Sequence, residues 1–476
     1  MFSSKSRVFT GVIWSSIQRF GTMIISFVSN IVLARLLLPS DFGIIGMLVL
    51  FIAIANIFVD SGLGSALIQK KEPSHKDYST VFWANLAISL FFYILLYACA
   101  PYISRFYKMP ILCSVLRIEG IVLFLNSFCL IQTTILRKEL DFKKLSIANI
   151  VGNIIGTIVG VILAYWGYGV WSLVVRMLVV SLVTVFMLWG ISKWRPSFTF
   201  SLGSFKELFD FGGFILLSSI VTSISNNIQT LIIGKLFSPG VLGTYTQAKQ
   251  LRDIPSMSIS SIISQVLYPF FSNNQENNHK IGRTLNFSIY ITAYITSAIV
   301  AILILVSKPL IIILYTDRWI GAVGMFQILC VGGLFLAVQD INYYAVAAKG
   351  KSRTLFLFNL IQVGFGIILM LFGGKWFGIQ GLLFAMVISV FCFYCVYAAL
   401  AAHYSKSSIF VQLKNILLCM SLTVMSGFVT YYICRLFEIN NLMTVIANLL
   451  IFCCIHAMLS FLFRIKPFMY IIKSIM

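Results

Sequence analysis

Lys249, Arg252 and Asp253 stand at i, i+3 and i+4 in a largely apolar stretch, so a helix there carries all three on one face. Two residues further on, Pro255 removes a backbone donor, leaves the Leu251 carbonyl without its usual partner and predicts a kink. A kinked, charged helix within a membrane is the recurring form of a transporter binding site. The plainer alternative is a self-neutralised Lys249–Asp253 pair with Arg252 snorkelling, which still leaves one positive charge over. Arg19, flanked by Gln18 and Gly21, and Asp60 lie in two other apolar segments. Asp60 either pairs with Arg19 or binds and releases a coupling proton, and the sequence leaves both open. Arg117, Arg176 and Glu119 lie nearer segment ends and read as local pairs or snorkelling chains, while Asp340 reads equally as a hydrogen bond between helices. Each such charge costs roughly 2.5–3.5 kcal/mol near the centre of a bilayer, so it should face a protein interior or a wet cavity.

Catalysis finds no such support. There is no phosphate loop, no carboxylate pair in an aqueous domain, and His456 stands alone in its apolar segment. The ten cysteines are scattered through apolar segments without metal-ligand spacing, and the adjacent Cys453 and Cys454 read as packing. Neither a catalytic residue nor a metal site is expected, and the cofactor expectation is limited to coupling by protons or sodium.

The elements that hold these charges are set by composition. The chain is 59% hydrophobic and 10% charged, with a mean hydropathy of +0.97, which excludes a soluble globule. Apolar runs of 20 residues or more recur, the length a helix needs to cross roughly 30 Å of hydrocarbon, whereas a barrel would show short alternating segments. An all-α polytopic membrane protein is predicted, with about fourteen transmembrane helices at 10–37, 42–68, 79–106, 111–136, 144–166, 169–192, 207–237, 242–270, 284–315, 321–347, 354–375, 378–402, 413–436 and 442–463. The first run follows Lys5 and Arg7 but has no small-residue cleavage site, so it reads as a retained span. With loops assigned to alternate sides, 22 lysines and arginines fall on one side and 8 on the other. The excess of basic residues predicts cytoplasmic N- and C-termini and accounts for the net charge of +21 without nucleic acid.

Part of the chain occurs twice. Ala34-Arg35-Leu36-Leu37-Leu38-Pro39-Ser40-Asp41-Phe42-Gly43 is echoed by Gly234-Lys235-Leu236-Phe237-Ser238-Pro239-Gly240-Val241-Leu242-Gly243. Tyr168-Gly169-Val170-Trp171-Ser172-Leu173 is likewise matched by Phe377-Gly378-Ile379-Gln380-Gly381-Leu382. Two echoes in one order predict parallel copies of a six-helix bundle, 1–192 and 207–402, joined by a cytoplasmic linker at 193–206. Residues 403–476 then add two helices and a cytoplasmic tail. Gly152, Gly156 and Gly160, every fourth residue of one span, read as close helix packing.

The opening segment running into Leu36 to Gly43, the stretch Asp60-Ser61-Gly62-Leu63-Gly64-Ser65-Ala66-Leu67-Ile68 and the arrangement of six, six and two spans resemble the polysaccharide-transport branch of the multidrug/oligosaccharidyl-lipid/polysaccharide exporter superfamily. The resemblance implies two bundles forming a V around a cavity that opens alternately to each side. It also implies a flippase that moves undecaprenyl-pyrophosphate-linked oligosaccharide from the cytoplasmic to the periplasmic leaflet of the bacterial inner membrane. By analogy with that fold the first two helices of each half line the cavity. Arg19, Lys249 and Arg252 would then hold the pyrophosphate or acidic sugars, with Asp60 and Asp253 balancing charge or coupling to protons. Expected partners are the anionic lipid-linked oligosaccharide, membrane lipids, and polymerase and chain-length machinery. The alternatives are a proton- or sodium-coupled multidrug exporter, which would need a net acidic cavity, and a membrane-embedded polymerase or glycosyltransferase, which would need a large outer loop.

Overall fold

The computed structural model describes the chain except Met1, Ser61, 437–439 and Met476. Ser61 of the Asp60–Ile68 stretch therefore lies outside the described residues, as do the side chains of Lys5 and Arg7. The described residues are helical almost throughout and contain no strand. By packing the chain divides into two compact units, Met1–Gly243 and Thr244–Met476.

The first unit holds α1 (Phe2–Leu36), α2 (Pro39–Asp60), α3 (Leu63–Gln69), α4 (His75–Tyr107), α5 (Ile111–Glu119), α6 (Ile121–Lys138), α7 (Phe142–Tyr165), α8 (Val170–Ile191), α9 (Leu202–Leu236) and the opening of α10 (Pro239–Asn273). The second holds the rest of α10, then α11 (Asn278–Leu305), α12 (Ser307–Tyr315), α13 (Ala322–Ala348), α14 (Ser352–Ser405), α15 (Ile409–Arg435), α16 (Asn441–Leu462) and α17 (Lys466–Ile475). Among the described residues, twelve stretches are long and apolar enough to cross a membrane. One of them, α14, runs for 54 residues and loses helical geometry at Gly378, so it contains two of the expected spans. Outside the twelve, α10 has 35 residues, long enough to span, but carries Lys249, Arg252, Asp253 and several serines. All fourteen expected segments thus fall on helices. Side chains such as Phe91, Ile368 and Leu417, each more than 60% exposed, give the surface its apolar, lipid-compatible character.

Three expected spans are interrupted, which hydropathy alone does not register. The span at 42–68 stops at Asp60 and resumes as α3 after Gly62, whose φ of 67° is left-handed. That at 111–136 divides at Gly120, and that at 284–315 divides at Val306. The tail after 463 forms α17, a helix that was not expected.

The two echoes prove to be shared backbone devices. Gly169 (φ 53°, ψ −129°) and Gly378 (φ 66°, ψ −159°) adopt matching conformations close to a region open essentially to glycine alone, and each begins a helical stretch. Pro39 and Pro239 each occupy the first position of a helix, where a missing N–H costs nothing. Within the first unit these two turns meet reciprocally. A Cβ on Gly43 would lie 1.8 Å from the Pro239 carbonyl oxygen, and a Cβ on Gly243 would lie 1.8 Å from that of Pro39. Only glycine allows that approach.

The glycine stripe on α7 receives α8. A Cβ at Gly156 would stand 2.4 Å from Val180 Cγ2, and one at Gly160 would stand 2.9 Å from Arg176 Cβ. Arg176 thereby lays its stem along α7. The segment expected as a linker is strapped to the start of α4. His75 Nε2 donates to the Arg195 carbonyl (3.1 Å), Trp83 Nε1 to that of Ser197 (2.9 Å), and the Ser201 amide to Thr80 Oγ1 (3.1 Å).

Candidate functional site

On α10, Asp253 holds two cations at once. Lys249 Nζ lies 3.2 Å from Asp253 Oδ2 and Arg252 Nε lies 3.0 Å from Oδ1. The carboxylate is thus outnumbered, and the cluster keeps a formal surplus of one positive charge. The two cations are not equivalent. Lys249 is partly exposed at 28% of its side chain, whereas Arg252 is at 9%. The stem of Arg252 packs on α13, where a Cβ at Gly333 would lie 3.4 Å from Arg252 Cδ. The space beside it, lined by Pro255, Ser256, Thr296 and Cys330, amounts to about 20 Å³, room for little more than a water molecule. Arg252 is therefore packed within its own unit, and Lys249 is the more exposed of the two cations. Pro255 does not break α10, which stays helical through both Pro255 and Pro269, and Ser256 Oγ donates to the Arg252 carbonyl at 3.0 Å.

Asp60 and Arg19 part company. Asp60, the last residue of α2, lines a cavity of about 660 Å³ inside the first unit. Gln18 lines it too, but Arg19 does not; its side chain is exposed, and no ion pair joins it to Asp60 among the described residues. The cation that shares the cavity with Asp60 is Arg137, from the last turn of α6. Polar side chains from further helices complete the wall. Asn126 Nδ2 donates to Asn56 Oδ1 (3.4 Å), and Ser181 Oγ donates to Asn126 Oδ1 (3.2 Å), so α2, α6 and α8 are linked across it. Asn149 from α7 and Thr184 from α8 also line it.

Nothing local in the sequence announces this cavity: Arg137 adjoins Lys138 and Glu139 and reads there as one more basic residue at a span end. The only available signal was three asparagines, 56, 126 and 149, each inside an apolar span where an amide is costly. Lys138 has a separate job, donating to the carbonyls of Leu67 (3.1 Å) and Ile68 (3.4 Å) at the C-terminal end of α3, where a cation is favoured. Just beyond α3, Lys70 bridges Asp77 (3.2 Å) and Glu207 (3.1 Å). The Glu207 carboxylate hydrogen-bonded to it holds the Lys70 ammonium above the usual lysine range.

The remaining span charges are local. Asp340 accepts a 2.6 Å hydrogen bond from Ser260 Oγ, joining α10 to α13. Arg117 lies 4.1 Å over the Tyr97 ring. His456 is stacked between Tyr294 and Phe452, with Nδ1 3.2 Å from Ser426 Oγ.

Comparison with known proteins gives this geometry a setting. A family model described as "Polysaccharide biosynthesis protein" matches residues 32–324. The teichuronic acid biosynthesis protein TuaB of Bacillus subtilis (strain 168) is 26% identical over 361 residues, 75% of each chain. The lipopolysaccharide biosynthesis protein WzxC of Escherichia coli (strain K12) is 24% identical over 381 residues, 80% of this chain and 77% of that one. Among solved structures, the lipid II flippase MurJ in an inward closed conformation superimposes with a TM-score of 0.78 at 19% identity, covering 95% of this chain and 99% of that one.

Proposed function

The chain belongs to the polysaccharide biosynthesis protein family, and from that premise we propose that it is a flippase for lipid-linked oligosaccharide. It takes undecaprenyl-pyrophosphate-linked repeat units from the cytoplasmic to the periplasmic leaflet of the bacterial inner membrane, for assembly into a surface polysaccharide. The names of its relatives, which concern teichuronic acid and lipopolysaccharide, support the substrate class. The likeness to MurJ, itself described as a lipid II flippase, supports the fold, and in this reading the polar head group crosses through the protein while the prenyl tail stays in lipid. Translocation follows alternating access between six-helix repeats at 1–192 and 207–402, about the linker at 193–206. Both termini are cytoplasmic, as the basic loops favour. Polymerase and chain-length machinery would take the product at the outer face, and proton or sodium coupling would supply direction.

The observation that carries this reading is the surplus cation on α10. An anionic head group needs positive charge that the protein has not already neutralised, and Asp253 cannot neutralise both Lys249 and Arg252. Exposure makes Lys249 the first contact, with Arg252 behind it and Arg19 as a further cation; Asp60 and Asp253 balance charge. Losing one charge-assisted hydrogen bond of about 1.5–3 kcal/mol weakens binding roughly ten- to a hundredfold. Lys249→Ala should therefore lower surface polysaccharide at matched membrane abundance, and Lys249→Arg should restore most of it. Normal polysaccharide from Lys249→Ala would take the α10 cluster out of the mechanism.

A further inference from the structure

The cavity inside the first unit differs from the α10 cluster in the kind of ligand it fits. Among the described residues its charges balance, with one carboxylate from Asp60 against one guanidinium from Arg137 and no lysine in its lining. The rest of its polar wall is amide and hydroxyl. The described hydrogen bonds leave much of that capacity unspent. Asn56 accepts from Asn126 but its own amide N–H groups make no bond within the described residues, and Asn149 spends only its Nδ2, on the Leu145 carbonyl. The side chains of Asp60 and Arg137 make no hydrogen bond to one another or to their neighbours among the described residues. A volume of about 660 Å³ lies within the range of small-molecule sites, roughly 300–1,000 Å³.

A pyrophosphate is the poorer match for such a wall, because the one guanidinium, Arg137, is offset by the Asp60 carboxylate and the other donors are neutral amides and hydroxyls. A neutral sugar is a good one. Each of its hydroxyls both donates and accepts, and planar amides, a carboxylate and a guanidinium between them present both functions at fixed geometry. No aromatic side chain lines the cavity among the described residues, so the sugar is held by hydrogen bonds at its edges and not by stacking. We propose that this cavity is a binding site for a neutral saccharide unit, read by Asn56, Asn126, Asn149, Asp60 and Arg137. The inference rests on the flippase reading and deepens it. It adds recognition of a neutral sugar of the repeat unit to the charge recognition proposed for its anionic link.

Cys129 lines the same cavity and supplies a native probe. In the full-length chain, with the other nine cysteines replaced, the rate of Cys129 modification by a small methanethiosulfonate reagent reports occupancy. The probes are glucose, galactose, N-acetylglucosamine and their disaccharides, beside inorganic pyrophosphate. At about three times its Kd a ligand leaves about a quarter of sites free, so labelling slows about fourfold. At least one neutral sugar should do this, pyrophosphate should not, and Asn126→Leu should remove the protection while Cys129 still labels. Protection by pyrophosphate alone, protection by none of the probes, or a Cys129 that never labels would each overturn the proposal. A cellular arm separates it from the reading beneath it. If deleting the chain leaves surface polysaccharide intact, the flippase reading fails whatever the sugars do. If deletion abolishes polysaccharide but Asn126→Leu at normal abundance does not reduce it, the sugar site alone fails.

Discussion

Within the α10 cluster, packing separates two cations that share one carboxylate: the stem of Arg252 lies against Gly333 of α13, while Lys249 keeps 28% of its side chain exposed. The spacing of Lys249, Arg252 and Asp253 fixed their common helical face, and the structure adds which of the two cations is packed away. Helical periodicity is blind to that, because it depends on Gly333 from another helix. Asp60 illustrates the same gap: its residue type suggested a charged partner, but the partner in its cavity is Arg137, about eighty residues on, and not Arg19. Backbone demands, by contrast, repeat faithfully. Gly169 and Gly378 hold matching positive-φ conformations, for which a side chain costs of order 1–3 kcal/mol. Gly169→Ala and Gly378→Ala should each lower the apparent melting temperature in detergent. Gly364→Ala, in a helix with open space at its Cβ, should be neutral or slightly stabilising. Equal melting of all three would remove strain as the reason for the second echo.

At the scale of elements, hydropathy located the helices well and their interruptions badly. A twenty-residue average passes over Gly62, Gly120 and Val306 because long apolar runs on both sides outweigh the few polar residues at each break, Asp60, Glu119, Ser307 and Lys308, so the breaks that end α2, α5 and α11 leave little trace in it. Packing between neighbours was easier to foresee, since the Gly152, Gly156 and Gly160 stripe has one simple use. A leucine at Gly156 must displace Val180 or the Arg176 carbonyl, which a Cβ would approach to 2.4 and 3.0 Å. Gly156→Leu should therefore sharply reduce folded, monodisperse protein recovered from membranes. Ile158→Ala, at a 54% exposed position on the same helix, should leave recovery unchanged. Comparable losses from both would mean that α7 does not depend on its contact with α8.

For the whole molecule, membrane placement follows from composition, and twelve apolar helical stretches agree with it. The cavity was not foreseeable in the same way: its walls come from helices widely separated in the chain, and no local pattern announces that they converge. Orientation is open to direct measurement. Cysteines placed at Glu139 and Trp376, both exposed, should react with an impermeant maleimide from opposite sides of the membrane, Trp376→Cys from outside in intact cells. Labelling of both from one side would reverse the argument from the basic loops.

The reciprocal contact of the two proline turns has a consequence for how a local change would spread. Pro39 sits over Gly243 and Pro239 sits over Gly43, the exchange of i with j and j with i that a local two-fold axis imposes. A side chain at either glycine would meet the opposite proline carbonyl, so loosening one turn withdraws the surface on which the other packs. The two turns form a mutual latch, held or released together.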